Sequence, residues 1–182
     1  MAFKNKIIVN PIVGQNIRFL QTAKDTDGKL LEMEASYGPF SKEPPAHYHP
    51  RQHEVFMIIK GQMTVRLKGK ILFLNEGDIL HIPAKTIHSM WNNSASPTIV
   101  NWKIQPALNT EYFLETANGL AADKARRQRF NSLLQRSLIA NKYSDVFRLS
   151  QPSFLIQKFL FILLTPFALL AGYRASYKKY FD

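Results

Sequence analysis

Three of the chain's five histidines, His47, His49 and His53, fall within seven residues, in PPAHYHPRQHEVFMIIKG; the other two are His81 and His88. His47 and His49 are two apart, so along a strand their imidazoles project from one face and can converge on a single point. Glu54 follows the break Pro50-Arg51-Gln52, which frees it from the parity of the preceding strand, and it heads a run in which Glu54, Phe56 and Ile58 share a face. A carboxylate on an otherwise apolar inward face is costly unless its charge is compensated, and a divalent cation does this well. His88 arrives 34 residues after Glu54, past a Gly-Asp turn and Pro83, and can supply a fourth ligand from a neighbouring strand. Three imidazoles and one carboxylate suit Mn, Fe, Ni, Cu, Co or Zn, with water or substrate in the remaining positions. The chain has no cysteine, which excludes thiolate zinc sites, Fe–S clusters, disulfides and a cysteine nucleophile. His53 points opposite Glu54 by strand parity, and His53 and His81 are read as hydrogen-bonded structural histidines.

The elements that position these residues are short strands. Leu31, Met33, Ala35 and Tyr37 alternate with more polar neighbours, a period of two that predicts a half-buried strand ended by Gly38-Pro39. Val55 to Ile59 is an apolar run closed by Gly61. Thr64 to Leu67 and Ile71 to Leu74 flank Lys68-Gly69-Lys70 and read as a hairpin. Ile79 to Pro83, Ser89 to Trp91 and Thr98 to Ile104 continue the series, with Glu76-Gly77-Asp78 as a further turn. Many short strands at such spacing, with little helical periodicity among them, predict a mainly β fold: a closed barrel or double-sheet jelly roll.

These residues resemble the cupins. The first cupin motif pairs two histidines one residue apart with a following glutamate and glycine, here His47, His49, Glu54 and Gly61; the second runs glycine, proline, histidine and asparagine, here Gly77, Pro83, His88 and Asn92. The resemblance covers about residues 30 to 105. It implies a small double-stranded β-helix barrel with His47, His49, Glu54 and His88 as ligands of a divalent transition metal. Two positions depart from the pattern. Lys85 stands where the family often has glycine, implying an altered loop with a cation near the mouth, and Ser41 stands where a glycine usually opens the first motif. Phe56, Ile58, Met63, Met90 and Trp102 are candidates to line a pocket for a small-molecule substrate or ligand, with plain barrel core as the alternative for each. The family's range implies a metal-dependent oxidoreductase of dioxygenase type acting on a carbonyl or enol substrate, with Glu54 as ligand and catalytic base. A metal-bound binding or sensory module without turnover is the alternative. Small cupins are often dimers, which implies a homodimer here.

After Pro106 the period changes, so the barrel is assigned to residues 1–108 and a helical extension to 109–182. Glu111 to Leu120 and Ala121 to Asn141 predict one or two amphipathic helices, with Phe130, Leu133, Leu134 and Leu138 near helical spacing. Net charge is +11 from 24 Lys and Arg against 13 Asp and Glu. The cluster Lys124, Arg126, Arg127 and Arg129 lacks interleaved stacking aromatics, so it reads as a solvated helix face and no nucleic-acid partner is expected. No secretory leader is read in the first residues, so the expected location is the cytoplasm. The apolar segment 154–173 is long enough to cross a bilayer, but Gln157, Lys158 and Pro166 interrupt it. Three readings stay open for it: docking on protein or a second subunit, peripheral membrane contact through 154–182, or a tail anchor.

Overall fold

The structure is a computed structural model that describes residues 1–127 and 133–181, apart from the side chains of 124–127. The basic cluster from Lys124 to Arg129 and Phe130 therefore lie outside the described side chains. Ten strands precede the first long helix: β1 (Ile7–Asn10), β2 (Gln15–Gln21), β3 (Leu31–Tyr37), β4 (His47–Tyr48), β5 (His53–Lys60), β6 (Gln62–Leu67), β7 (Lys70–Asn75), β8 (Ile79–Ile82), β9 (His88–Trp91) and β10 (Thr98–Gln105). Helices α1 (Thr110–Arg127) and α2 (Leu133–Lys142), the short strand β11 (Arg148–Leu149) and helix α3 (Phe154–Leu170) follow. The strands form two antiparallel sheets, in the orders β1-β2-β3-β10-β5-β8 and β11-β4-β9-β6-β7. This is a jelly roll of the double-stranded β-helix kind with C-terminal helices.

Alternation explains which face of each strand is buried. In β3, Leu31, Met33, Ala35 and Tyr37 point inward and the residues between them face outward. On β5 the inward set is Glu54, Phe56 and Ile58, so a carboxylate shares the face of two core residues. Met63 and Val65 from β6, Val100 and Ile104 from β10, and Ile17 and Phe19 from β2 complete the core. The turn between β6 and β7 is two residues long, and Lys68 and Gly69 both have positive φ, as the tightest hairpins require. Gly61 sits at φ +83°, and a Cβ there would lie 2.7 Å from the Pro97 carbonyl oxygen, so that turn admits no side chain.

The extension is wired into the barrel rather than appended to it. β11 adds an edge strand to the second sheet by pairing with β4, Leu149 opposite His47. Helix α1 packs along β1 and is anchored by two buried carboxylates: Glu111 accepts the Ala23 N–H at 3.0 Å, and Glu115 accepts from Lys6 Nζ at 2.7 Å. Helix α3 packs on α2, and the tail returns to α1, where Tyr180 covers Gly119.

Candidate metal centre

The two sheets bring the four residues face to face. β4 pairs with β9 so that His47 lies directly opposite His88, and their ring centroids are 4.5 Å apart. His49 follows just past β4, its ring 5.5 Å from that of His88. Glu54 faces them from β5 in the other sheet, and its Oε2 lies 3.2 Å from His49 Nε2 and 3.0 Å from His88 Nε2. One ligand atom from each of His47, His49 and His88 falls within 4.8 Å of the others.

The protons on the three rings are fixed by backbone. Each Nδ1 meets a carbonyl oxygen: His47 that of Pro45 at 3.0 Å, His49 that of Val146 at 2.5 Å, and His88 that of Thr86 at 3.0 Å. A carbonyl only accepts, so each Nδ1 must donate, and in the neutral ring the lone pair is then on Nε2. Backbone carbonyls thus orient the three rings as they commonly do for metal-binding histidines. His49 Nε2 and Glu54 Oε2 are buried without a hydrogen-bond partner. Imidazole lone pairs gathered on one carboxylate oxygen repel it unless a positive charge, a metal ion or a proton on Nε2, lies between them. Two donors each about 2.1 Å from a cation and at right angles stand about 3.0 Å apart, so the observed separations suit a shared ion. The donor set therefore fits a divalent transition metal.

Without a cation, protons on the imidazoles take over the balancing of the carboxylate. Burial opposes charge on Glu54, yet the His49, His88 and His47 imidazoles outweigh it and hold the carboxyl down to about 2. Burial, reinforced by His88 and His49, pushes His47 down to about 3. His88 goes the other way, because the Glu54 carboxylate overcomes the burial penalty. Glu54 Oε1 has its own partner: Trp102, on β10 next to β5, donates its Nε1–H at 2.9 Å and stacks on Phe56 at 5.5 Å. That leaves Oε2 as the oxygen turned to the histidines.

A cavity of about 310 Å³ opens beside these groups. Phe56, Met90 and Trp102 line it. Ile58 and Met63 do not: both are sealed in the core, Ile58 being two residues, about 6.6 Å, further along β5 than Phe56. The extension supplies much of the wall through Phe113, Leu114, Ala117 and Asn118 of α1 and Phe147 before β11. Phe147 stacks on His47 at 4.7 Å and on Phe113 at 4.9 Å. Asn118 donates to Leu114 O at 2.8 Å, which leaves its buried Oδ1 without a partner. Lys42 is the cation at the lining; Lys85 is not among the lining residues. Instead Lys85 adopts the left-handed conformation (φ 65°) that glycine would take more easily, and its N–H donates to His49 O at 2.8 Å. The loop thus keeps a glycine-like turn without glycine. At the other departure, Ser41 Oγ accepts the Asn92 N–H at 2.8 Å. Asn92 in turn staples the loop, donating to the Tyr37, Gly38 and Ser96 carbonyls. His53 and His81 are both exposed, and His53 donates to Gln105 Oε1 at 2.7 Å.

Residues 33–102 match the family model described as "Cupin domain". Among curated proteins, the chain is 40% identical over 72 residues to a quercetin 2,3-dioxygenase of Bacillus subtilis, covering 40% of this chain and 21% of that protein. It is 26% identical over 179 residues to a probable oxidoreductase of Hypocrea virens, covering 87% of this chain and 80% of the relative. The chain thus spans about a fifth of the length of the dioxygenase it matches. Among solved structures, an RmlC-like cupin from Shewanella frigidimarina superposes with TM-score 0.50 at 19% identity, over 61% of this chain and 94% of that one. A predicted oxalate decarboxylase from Thermotoga maritima gives TM-score 0.50 at 19% identity, over 57% and 92%. At such identity these two likenesses speak to the fold.

Proposed function

This chain belongs to the cupin superfamily, and from that premise we propose that it is a metal-dependent oxidoreductase of dioxygenase type acting on a small, lipophilic carbonyl or enol substrate. The observation that carries the reading is the convergence of imidazole Nε2 atoms on a buried, partnerless carboxylate oxygen. His47, His49 and His88 would hold the metal through Nε2 and Glu54 through Oε2. A transition metal in that set supplies Lewis acidity toward a substrate oxygen and access to dioxygen chemistry. The names of the dioxygenase and oxidoreductase relatives support the reaction class.

The chain's own residues do the rest. Trp102 holds Glu54 Oε1, so a single carboxylate oxygen is presented to the histidines and cavity. Glu54 is the carboxylate that faces the cavity, so it would be the group that takes the proton of an enol hydroxyl, loosening its own hold on the metal as it does so. Phe56, Phe113, Leu114 and Phe147 exclude water and favour an apolar ring or acyl body. Asn118 Oδ1 accepts a hydrogen bond from a second polar group of the substrate.

The test is metal analysis of protein purified without chelator or histidine tag, followed by oxygen uptake with a panel of enols and diketones. The reading expects stoichiometric metal, and oxygen consumption with at least one of these substrates that His49→Ala abolishes. Ligand-dependent thermal stabilisation with no oxygen consumed and no product formed contradicts it and favours a binding module.

A further inference from the structure

We propose that α3 is a membrane-docking element whose exposed apolar face enters the interfacial layer of an anionic lipid bilayer. The helix has two unlike sides. Gln157, Phe161 and Ala168 are buried against the rest of the protein. Leu155, Phe159, Ile162, Leu163, Leu169 and Leu170 are exposed, Leu155 to 79% and Leu170 to 87%. At about 100° per residue these six fall within an arc of roughly 120°. No charge interrupts the arc, and Lys158 stands at its margin. Along a helix about 25 Å long this is an apolar surface on the order of several hundred Å², far beyond the scattered apolar side chains of an ordinary surface.

Charge chooses the occupant. From Val146 to Asp182 the chain carries five cations, Arg148, Lys158, Arg174, Lys178 and Lys179, of which Lys179 pairs with Asp123, against one acidic side chain, Asp182. Lys158 on α3 and Arg174 and Lys178 after it are exposed. An anionic lipid surface complements this arrangement, whereas a second copy, also at +11, would set like charges against each other across a symmetric contact. The helix lies along the protein and does not leave it. Gln157 Nε2 donates to Leu149 O at 3.0 Å and to Pro152 O at 2.6 Å, and among the described residues no helix is long and apolar enough to cross a membrane. The first of these bonds ties α3 to β11, which pairs with β4 at His47, so docking would set the barrel against the bilayer. The inference stands on the surface alone and does not require turnover at the metal centre.

Co-flotation of the full chain with vesicles tests it, using phosphatidylcholine alone or phosphatidylcholine mixed with phosphatidylglycerol, at low and high salt. Binding is expected on the mixed vesicles, at least tenfold weaker on the neutral ones, and reduced by salt. Lys158→Ala should weaken it about fivefold. Combined Phe159→Glu and Leu163→Glu should abolish it while melting temperature and metal content stay at the parent values. The proposal is overturned if the parent does not float with anionic vesicles or if flotation survives the double substitution. A dimer that the double substitution splits, with no vesicle binding by the parent, overturns it in favour of self-association.

Discussion

Replacing Trp102 with phenylalanine removes one N–H from the site and leaves the metal-facing atoms in place. The indole nitrogen donates to Glu54 Oε1 at 2.9 Å, and the Glu54 residue is 1% exposed, so the substitution leaves a buried acceptor without its protein donor. A hydrogen bond to a charged group contributes about 1.5 to 3 kcal/mol, and a buried acceptor left alone forfeits that amount. Phenylalanine keeps an aromatic face against Phe56, which limits the packing loss. With Oε1 unheld, the carboxylate is free to turn, and metal affinity should fall about 10- to 100-fold, the usual cost of losing a group that orients a metal ligand. Competition with a chromophoric chelator measures the affinity, and oxygen uptake at saturating metal separates it from turnover. Melting temperature should drop in both metal-free and metal-loaded protein, more in the loaded form. Metal affinity unchanged within about twofold, alongside a drop in melting temperature, would refute the positioning role and reduce Trp102 to core packing.

Phe147→Ala, which removes the stack on His47 and Phe113, should destabilise the protein by about 2 to 3 kcal/mol in denaturant titration and lower metal affinity with it. Asn118→Leu should raise KM for a substrate about tenfold at unchanged metal content, since it removes an acceptor at the cavity wall. The metal-free protein should melt progressively lower as pH falls from 6.5 to 3: His47 is held down to about 3 from 6.5, and Glu54 to about 2 from 4.5. Over that range the unfolded chain binds more protons, whereas His88, raised above 6.5, already contributes its full amount. Down to pH 3 Glu54 alone accounts for about 2 kcal/mol, and a flat or rising melting temperature by scanning calorimetry contradicts this. Gly119→Ala should lower the melting temperature, because the new Cβ would lie 2.3 Å from the Tyr180 ring; adding Tyr180→Ala should relieve the clash.

Strand parity made the carboxylate legible: Glu54 shares a face with Phe56 and Ile58 in the sequence, and β5 buries all three. The hairpin was equally plain, although its loop is one residue shorter than the Lys68-Gly69-Lys70 connection expected, because Lys70 already pairs with Leu67. What parity could not supply was depth. Phe56 and Ile58 are indistinguishable by alternation, yet only Phe56 reaches the cavity. Val146 left no mark on the sequence because its contribution to His49 is a backbone carbonyl, available from any residue type. β11 is two residues long, too short for a periodic signal, and Phe147 beside it became visible only once that strand paired with β4. Trp102 stood out as an apolar residue, whereas its N–H bond to Glu54 depends on the register between β10 and β5.

Anomalous diffraction from a crystal of the metal-loaded protein tests the central claim most directly. The account predicts one strong peak within bonding distance of Nε2 of His47, His49 and His88 and of Glu54 Oε2. A peak elsewhere, coordination through Nδ1, or no peak with any of Mn, Fe, Co, Ni, Cu and Zn would contradict it.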